Sequence, residues 1–365
     1  MGFSLMGLSV AYGKVRSDDE RFKVLDRAWE IGATNWDTAD LYGDNEDLIG
    51  KWFALHPERR QDIFLATKFG GKAKIGPDGR FNMFADSSPK YARSLNRLGV
   101  DCIDLYYIHR LDEKTPVERT IEEMVQLKNE GKIKYLGISK CSSTTLRRAH
   151  HIHPISAVQI EYSPWTLDIE GPSGTHLLKT ARELGVSVFA YSLLSSGMLT
   201  GQYNSLDSFD ADDHRVKELV ARKGCTAGQL TLAWLLTRGE SVFPIPGTKK
   251  VKYLEETVGA LKLELSTDDE RELREVIDGA DVAGSRGITV NEFADTPELP
   301  NLNKPLGLLL GKSELIYMVI PTPSQSRRIS IIELRQQDET SMRAKAVFKH
   351  WSTNWTGRAS GAESD

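Results

Sequence analysis

"NWDTADLYGDNEDLIGKW" (residues 35–52) opens as an apolar strand end and closes as an amphipathic helix, with Asp37, Asp40 and Tyr42 packed into the turn between them. A strand that hands over to a helix is the repeating step of a parallel sheet, because parallel neighbours need a crossover connection. Working outward, the same step recurs. Short β-branched or aliphatic runs at 2–8, 34–37, 63–68, 103–109, 133–139, 156–162, 186–192 and 241–247 read as eight strands. Helix-start signals fall between them: Ser17 with Glu20, Thr115 with Glu118 around Pro116, Thr226 with Gln229, and Thr267 with Glu270 all have capping-box spacing. Near-continuous apolar strands separated by helices imply burial on both sheet faces, and the count of eight selects a (β/α)8 TIM barrel, an α/β fold, over an open sheet.

The composition fits one large α/β domain or two medium ones: 365 residues, 40% hydrophobic and 27% charged. A formal net charge of −4 gives no general attraction to nucleic acid or anionic membranes. The three cysteines, Cys102, Cys141 and Cys225, are far apart and lack CxxC spacing, which argues against a disulfide framework and a thiolate zinc site. The longest apolar run, residues 306–320, is broken by Lys312 and Glu314. The expectation is a cytoplasmic protein with no membrane or nucleic-acid partner and no metal. His150, His151 and His153 lack a zinc-type partner pair and read as a loop after a helix.

In such a barrel the chemistry sits at the C-terminal ends of the strands. Asp37 ends the second strand, Lys68 the third and His109 the fourth, with Tyr42 in the loop behind Asp37. Singly, each has a plain reading: a helix cap, an amphipathic surface tyrosine, a solvated lysine, a satisfied loop histidine. Their joint placement on successive strand ends is what favours a site. A tyrosine is a poor acid near neutrality unless a neighbouring ammonium stabilises its phenolate. Lys68 is that ammonium, Asp37 keeps it charged, and a neutral His109 positions a carbonyl oxygen. A carbonyl group would then accept a hydride and take the proton of Tyr42.

With "NWDTADLYG", "LATKFG", "DLYYIHR", "IKYLGIS", "AVQIEYSPW" and "FAYSLLSSGMLTGQ" in hand, residues 2–298 resemble the aldo-keto reductase superfamily, most of all its microbial and fungal pyridoxal-reductase-like and general aldehyde-reductase branches. The resemblance implies a catalytic tetrad of Asp37, Tyr42, Lys68 and His109 and an NADP(H) cofactor. No GxGxxG follows any strand, so a Rossmann domain is not expected. By the same resemblance Ser139 and Gln159 hold the carboxamide, Tyr191 stacks on the nicotinamide, and Ser192, Leu194, Gly197 and Leu199 line the pyrophosphate. Gly247, Thr248 and Lys249 approach the 2′-phosphate, with Tyr253, Glu256 and Thr257 around the ribose and adenine. Lys249, Lys250 and Lys252 at a helix start suit a phosphate.

The family pattern is departed from at Lys140, where relatives carry Asn or Glu, and at Thr257, where Asn is frequent. The N-terminal hairpin is missing and the cofactor-covering segment near 205–225 is shortened. The family-like barrel spans 1–299, and 300–365 reads as a mostly disordered or atypical extension, as readily a gene-model artefact as a functional segment. Two functions stay open: NADPH-dependent reduction of a small-molecule aldehyde or ketone to an alcohol, or a cofactor-binding but catalytically slow or inactive regulatory protein similar to channel-associated beta subunits. The physiological substrate and the oligomeric state are not legible.

Overall fold

The computed structural model describes residues 1–10, 13–75, 81–85, 91–112, 114–193, 214–280 and 292–299. The strands are β1 (Phe3–Ser4), β2 (Asn35–Asp37), β3 (Phe64–Phe69), β4 (Gly71–Ile75), β5 (Phe81–Ala85), β6 (Ile103–Ile108), β7 (Ile133–Ser139), β8 (Ala157–Glu161), β9 (Ser187–Tyr191) and β10 (Val242–Pro244). All but β4 and β5 form one eight-stranded sheet in the order β1-β2-β3-β6-β7-β8-β9-β10, and every pair in it is parallel. The sheet closes on itself. Gly2 N donates to Pro244 O at 2.8 Å, Ser4 N donates to Pro246 O at 2.9 Å, and Ser4 bridges to Gly247. The fold is a (β/α)8 barrel.

The helices are α1 (Met6–Ser9), α2 (Asp18–Glu30), α3 (Asn45–Leu55), α4 (Tyr91–Leu98), α5 (Val117–Asn129), α6 (Ser143–Ile152), α7 (Leu177–Leu184), α8 (His214–Lys223), α9 (Ala227–Leu236), α10 (Val251–Gly259) and α11 (Thr267–Gly279). Their start signals hold in place but not always in detail. Ser17 caps α2 through Glu20 N, and Thr226 with Gln229 forms a reciprocal box on α9. The box on α11 is Ser266 with Asp269, one residue before the expected Thr267 and Glu270. Thr115 does not cap α5: its hydroxyl donates to Asp112, and Val117 N is satisfied by Thr296 Oγ1 at 3.2 Å. His150 and His151 lie in the last turn of α6, not in a loop.

Two further differences concern strands. The run 2–8 yields only two strand residues before α1, because Leu5 N makes the last ladder bond, to Asp37 O, and Asn45 Nδ2 claims Leu5 O at 2.9 Å. The antiparallel pair β4–β5 is not among the eight strands expected from the sequence, because neither segment is a continuous apolar run. Of the segment 205–225, residues 214–223 are α8. Residues 205–213 and 300–365, with Leu194, Gly197 and Leu199, fall outside the described residues.

Period-2 alternation sorts the strand residues into two layers. Trp36, Leu65, Phe69, Tyr106, Ile108, Ile138, Val158 and Val188 belong to the large cluster packed under the helices. Ala66, Leu105, Tyr107, Ala157, Phe189 and Ile245 form a separate, smaller cluster that fills the barrel. Gly137 makes room for it, since a Cβ there would lie 2.3 Å from the Tyr107 ring. Continuing the interior parity by two residues gives Lys68 after Ala66, His109 after Tyr107, Gln159 after Ala157 and Tyr191 after Phe189. The candidate site is therefore the top layer of the barrel interior.

Candidate active site

Asp37 ends β2, and its carboxylate is divided between two donors. Oδ1 accepts from Lys68 Nζ at 2.5 Å and Oδ2 accepts from Gln159 Nε2 at 2.8 Å. Lys68 also donates to Thr38 O at 2.6 Å, and its side chain is wholly buried. Burial alone would lower the Lys68 pKa; the charge of Asp37, with Tyr42 and the hydrogen bonds, outweighs it and leaves the value raised. The lysine is held as an ammonium.

Tyr42 lies beside it, with Lys68 Nζ 5.0 Å from the centre of the phenol ring. The ring meets His109 edge-on, centroid to centroid 5.7 Å. Burial raises the Tyr42 pKa, Lys68 pulls it down and Asp37 pushes it up, with a net rise. The phenol therefore stays protonated through neutral pH and is a proton donor rather than a base. His109 follows β6, and its backbone N–H donates to Phe69 O at 2.6 Å. Burial, then the cations Lys68, Arg110 and Lys140, drive its pKa well below the usual value, so the imidazole is neutral. Its Nδ1 is buried without a hydrogen-bond partner, and a Cβ at Gly71 would come within 3.0 Å of it.

The loop that carries Tyr42 is fixed from beneath. Tyr42 O accepts from Asn45 N at 3.0 Å, and Thr38 Oγ1 donates to Asn45 Oδ1 at 2.5 Å. Arg97 of α4 donates to Asp40 O and Gly43 O and pairs with Glu46 at 3.1 Å and Asp47 at 2.8 Å. Glu46 is fully buried and accepts from Thr67 Oγ1 at 2.8 Å. Asp40 takes no part in the tetrad: burial, then Glu46, push its carboxyl up to about 7.

Around the tetrad, Ser139 and Gln159 are register partners on β7 and β8 and both are buried. Tyr191 donates its hydroxyl to Glu292 Oε2 at 2.8 Å, and Lys140, ion-paired with the same Glu292, holds Nζ 5.3 Å from the Tyr191 ring centre. Burial lowers the Lys140 pKa to about 8. Lys140 and Ser192 are non-glycine residues with positive φ, 56° and 57°, at the rim. The segment 292–299 reaches this position by bridging Ala294 to Cys141, bonding Asp295 to Ser142 and Thr145, and accepting Arg148 on Thr296 O and Pro297 O.

Gly247, Thr248 and Lys249 lead into α10. Thr248 Oγ1 accepts from Lys250 N at 3.2 Å, and α10 starts with no side-chain cap and no acid in its first turn. Its amide end and the lysines beside it match an anionic ligand. Lys250 lies over the Tyr253 ring. Glu256 accepts from Oγ1 of Thr226, the residue before α9, at 2.6 Å, and Thr257 lines a small cleft with Met1, Ile31 and Leu261. Sequence reasoning missed Arg110, Glu292 and the Glu46–Arg97 support; adjacency to His109 was the available signal for the first. Among the described residues no His, Cys, Asp and Glu side chains cluster to hold a metal, and no helix is long and apolar enough to cross a membrane.

Residues 1–278 match the model of the Aldo/keto reductase family. Aldo-keto reductase str7 of Strobilurus tenacellus is 49% identical over 321 residues, covering 82% of this chain and 94% of that protein. The yakc aldo-keto reductase of Schizosaccharomyces pombe, designated NADP(+), is 43% identical over 330 residues, covering 82% and 95%. Among solved structures, a thermostable aldo-keto reductase bound to the inhibitor epalrestat aligns with TM-score 0.62 and 28% identity, covering 75% of this chain and 94% of that one. The holo form of an aldo-keto reductase from Bacillus halodurans aligns with TM-score 0.61 and 25% identity, covering 79% and 94%.

Proposed function

The chain belongs to the aldo/keto reductase family, and on that premise we propose that it is an NADP(H)-dependent oxidoreductase that reduces an aldehyde or ketone to an alcohol, with Tyr42 as proton donor. The observation that carries this reading is the buried Asp37–Lys68 pair set beside a protonated Tyr42 and a neutral His109. NADP(H), when bound, supplies the hydride.

The chain's own residues do the rest. A carbonyl oxygen seated between Tyr42 and His109 accepts a hydrogen bond from each, which polarises the carbon for hydride addition. As negative charge grows on that oxygen, Tyr42 gives up its proton, and the phenolate left behind faces Lys68. Asp37 keeps Lys68 charged through this step, and Gln159 and Thr38 O fix the pair so that little reorganisation is needed. Solvent then reprotonates Tyr42.

Several observations support the cofactor assignment. Ser139 and Gln159 present adjacent polar side chains one strand apart, and Tyr191 offers a half-buried ring at the end of the next. The uncapped start of α10, next to Lys249, Lys250 and Lys252, suits the 2′-phosphate that distinguishes NADP from NAD. The NADP(+) designation of the yakc relative agrees. The test is oxidation of NADPH by the purified protein against a panel of aldehydes and ketones, with NADPH and NADH binding measured in parallel. Turnover of at least one carbonyl compound is expected; tight NADPH binding without turnover across the panel would refute the enzymatic reading.

A further inference from the structure

Arg110 follows His109 at the top of the barrel and is only 9% exposed, yet its Nε and Nη1 are buried with no hydrogen-bond partner. A buried guanidinium is normally surrounded by acceptors, because desolvating the charge is costly otherwise. Two other arginines among the described residues, the buried Arg21 and the partly buried Arg97, obey that rule. Arg21 bonds Ser9, Asp18 and Asp44, and Arg97 bonds two carbonyls and two carboxylates. Arg21 and Arg238 each leave Nε unpaired, but their terminal nitrogens engage carboxylates.

The surroundings of Arg110 locate it at the substrate end of the site. Its charge acts on Tyr42, His109, Lys140 and Tyr191, residues at or beside the candidate site. Two other described cations there are engaged, Lys68 by Asp37 and Lys140 by Glu292. Among the described residues, three cations and no carboxylate are the charges that shift His109. Glu161 also acts on Lys140 and Tyr191. Among the described residues, no acceptor is placed on Arg110 Nε or Nη1.

We propose that Arg110 is a specificity residue for substrates carrying an anionic group, a carboxylate or a phosphate, beside the reacting carbonyl. This rests on the reductase reading above and narrows it to oxo acids and phosphorylated carbonyl compounds. The anion supplies the missing acceptor, and the guanidinium orients the carbonyl oxygen toward Tyr42 and His109 without touching the reacting atoms.

The experiment uses the full-length protein, wild type and the Arg110→Gln and Arg110→Lys variants, with paired probes: benzaldehyde against 2-carboxybenzaldehyde, butanal against succinic semialdehyde, and glyceraldehyde against glyceraldehyde 3-phosphate. For wild type, kcat/KM is expected to favour the anionic member of at least one pair by about 10- to 100-fold, the range of one charge-assisted hydrogen bond. The carboxylate and phosphate arms separate the two anion sources. Arg110→Gln is expected to lose at least tenfold more on the anionic member than on the neutral one, chiefly in KM, and Arg110→Lys to recover part of the loss. Equal losses on both members, or no wild-type preference in any pair, would overturn the proposal.

A binding measurement keeps the two readings apart. By calorimetry on the NADP-loaded protein, benzoate is expected to bind more tightly than benzamide, and Arg110→Gln to abolish the difference. Failure of every aldehyde to turn over would refute the reductase reading, while the benzoate comparison still decides the role of Arg110: equal affinity for benzoate and benzamide in wild type would refute it.

Discussion

Replacing Asp37 with Asn keeps the shape of the side chain and removes its charge. The two oxygens of Asp37 accept from Lys68 Nζ at 2.5 Å and from Gln159 Nε2 at 2.8 Å, so whichever way the new amide is oriented, its NH2 group faces a donor. A wholly buried ammonium loses its partner at the same time. Breaking one side of a buried ion pair costs about 3–5 kcal/mol. For a unit the size of Met1–Leu299, at about 2 °C per kcal/mol, the melting temperature falls by about 6–10 °C. The pH dependence has a definite sign. In the native protein the Lys68 pKa is raised above 10.5, so its contribution is present below that pH and is lost as pH rises through the folded value. In Asp37→Asn burial acts with much less opposition and the folded pKa drops. The variant's deficit is then largest near neutral pH and narrows toward pH 10.5. Activity follows: the variant loses turnover as pH rises through the lowered Lys68 pKa, where wild type does not. Thermal melts from pH 6 to 10 with parallel NADPH-oxidation rates check this. A melting temperature within about 2 °C of wild type at pH 7, with an unshifted rate profile, would refute the reasoning.

Asp40→Asn should stabilise the protein more at pH 8 than at pH 5, because burial and Glu46 lift the Asp40 pKa to about 7, so that stability falls as pH rises from about 4 through that value; melting curves at the two pH values check it, and an equal effect at both contradicts it. His109→Asn should flatten the loss of stability below pH 6.5 by up to about 1.4 kcal/mol per pH unit, since the native imidazole resists a proton that the unfolded chain accepts; urea midpoints between pH 5 and 7 read this slope. Lys249→Glu should weaken NADPH binding at least tenfold more than NADH binding, because it sets like charge against the 2′-phosphate; equal losses would make Lys249 structural.

The fold was legible because burial on both sheet faces leaves an apolar run that sequence shows directly, and β7 at 133–139 matches its expected bounds. The first strand was over-read because Leu5 and Leu8 are as apolar as strand residues; tertiary bonds to Asp37 and Asn45 turn the chain after Ser4. The candidate tetrad was visible because Asp37, Lys68 and His109 end or directly follow successive barrel strands on the interior parity, with Tyr42 in the loop behind Asp37. Its support was not visible, since Glu46–Arg97 and Lys140–Glu292 join residues 51 and 152 positions apart. Asp40 illustrates the limit: local sequence places it beside Asp37 and Tyr42, yet its carboxyl is left to Glu46 and two arginines by the packing of α4.

The central claim is that Tyr42 delivers the proton, and Tyr42→Phe tests it most directly. The phenyl ring can keep the edge contact to His109 and the position beside Lys68, so only the hydroxyl is removed. Turnover of any aldehyde reduced by the wild type should fall about 10²- to 10⁴-fold, the usual contribution of a general acid. NADPH affinity, read from the fluorescence of the bound nicotinamide, should stay within about twofold, because the hydroxyl acts on the carbonyl oxygen. A Tyr42→Phe protein that binds NADPH and turns over at the wild-type rate would contradict the account.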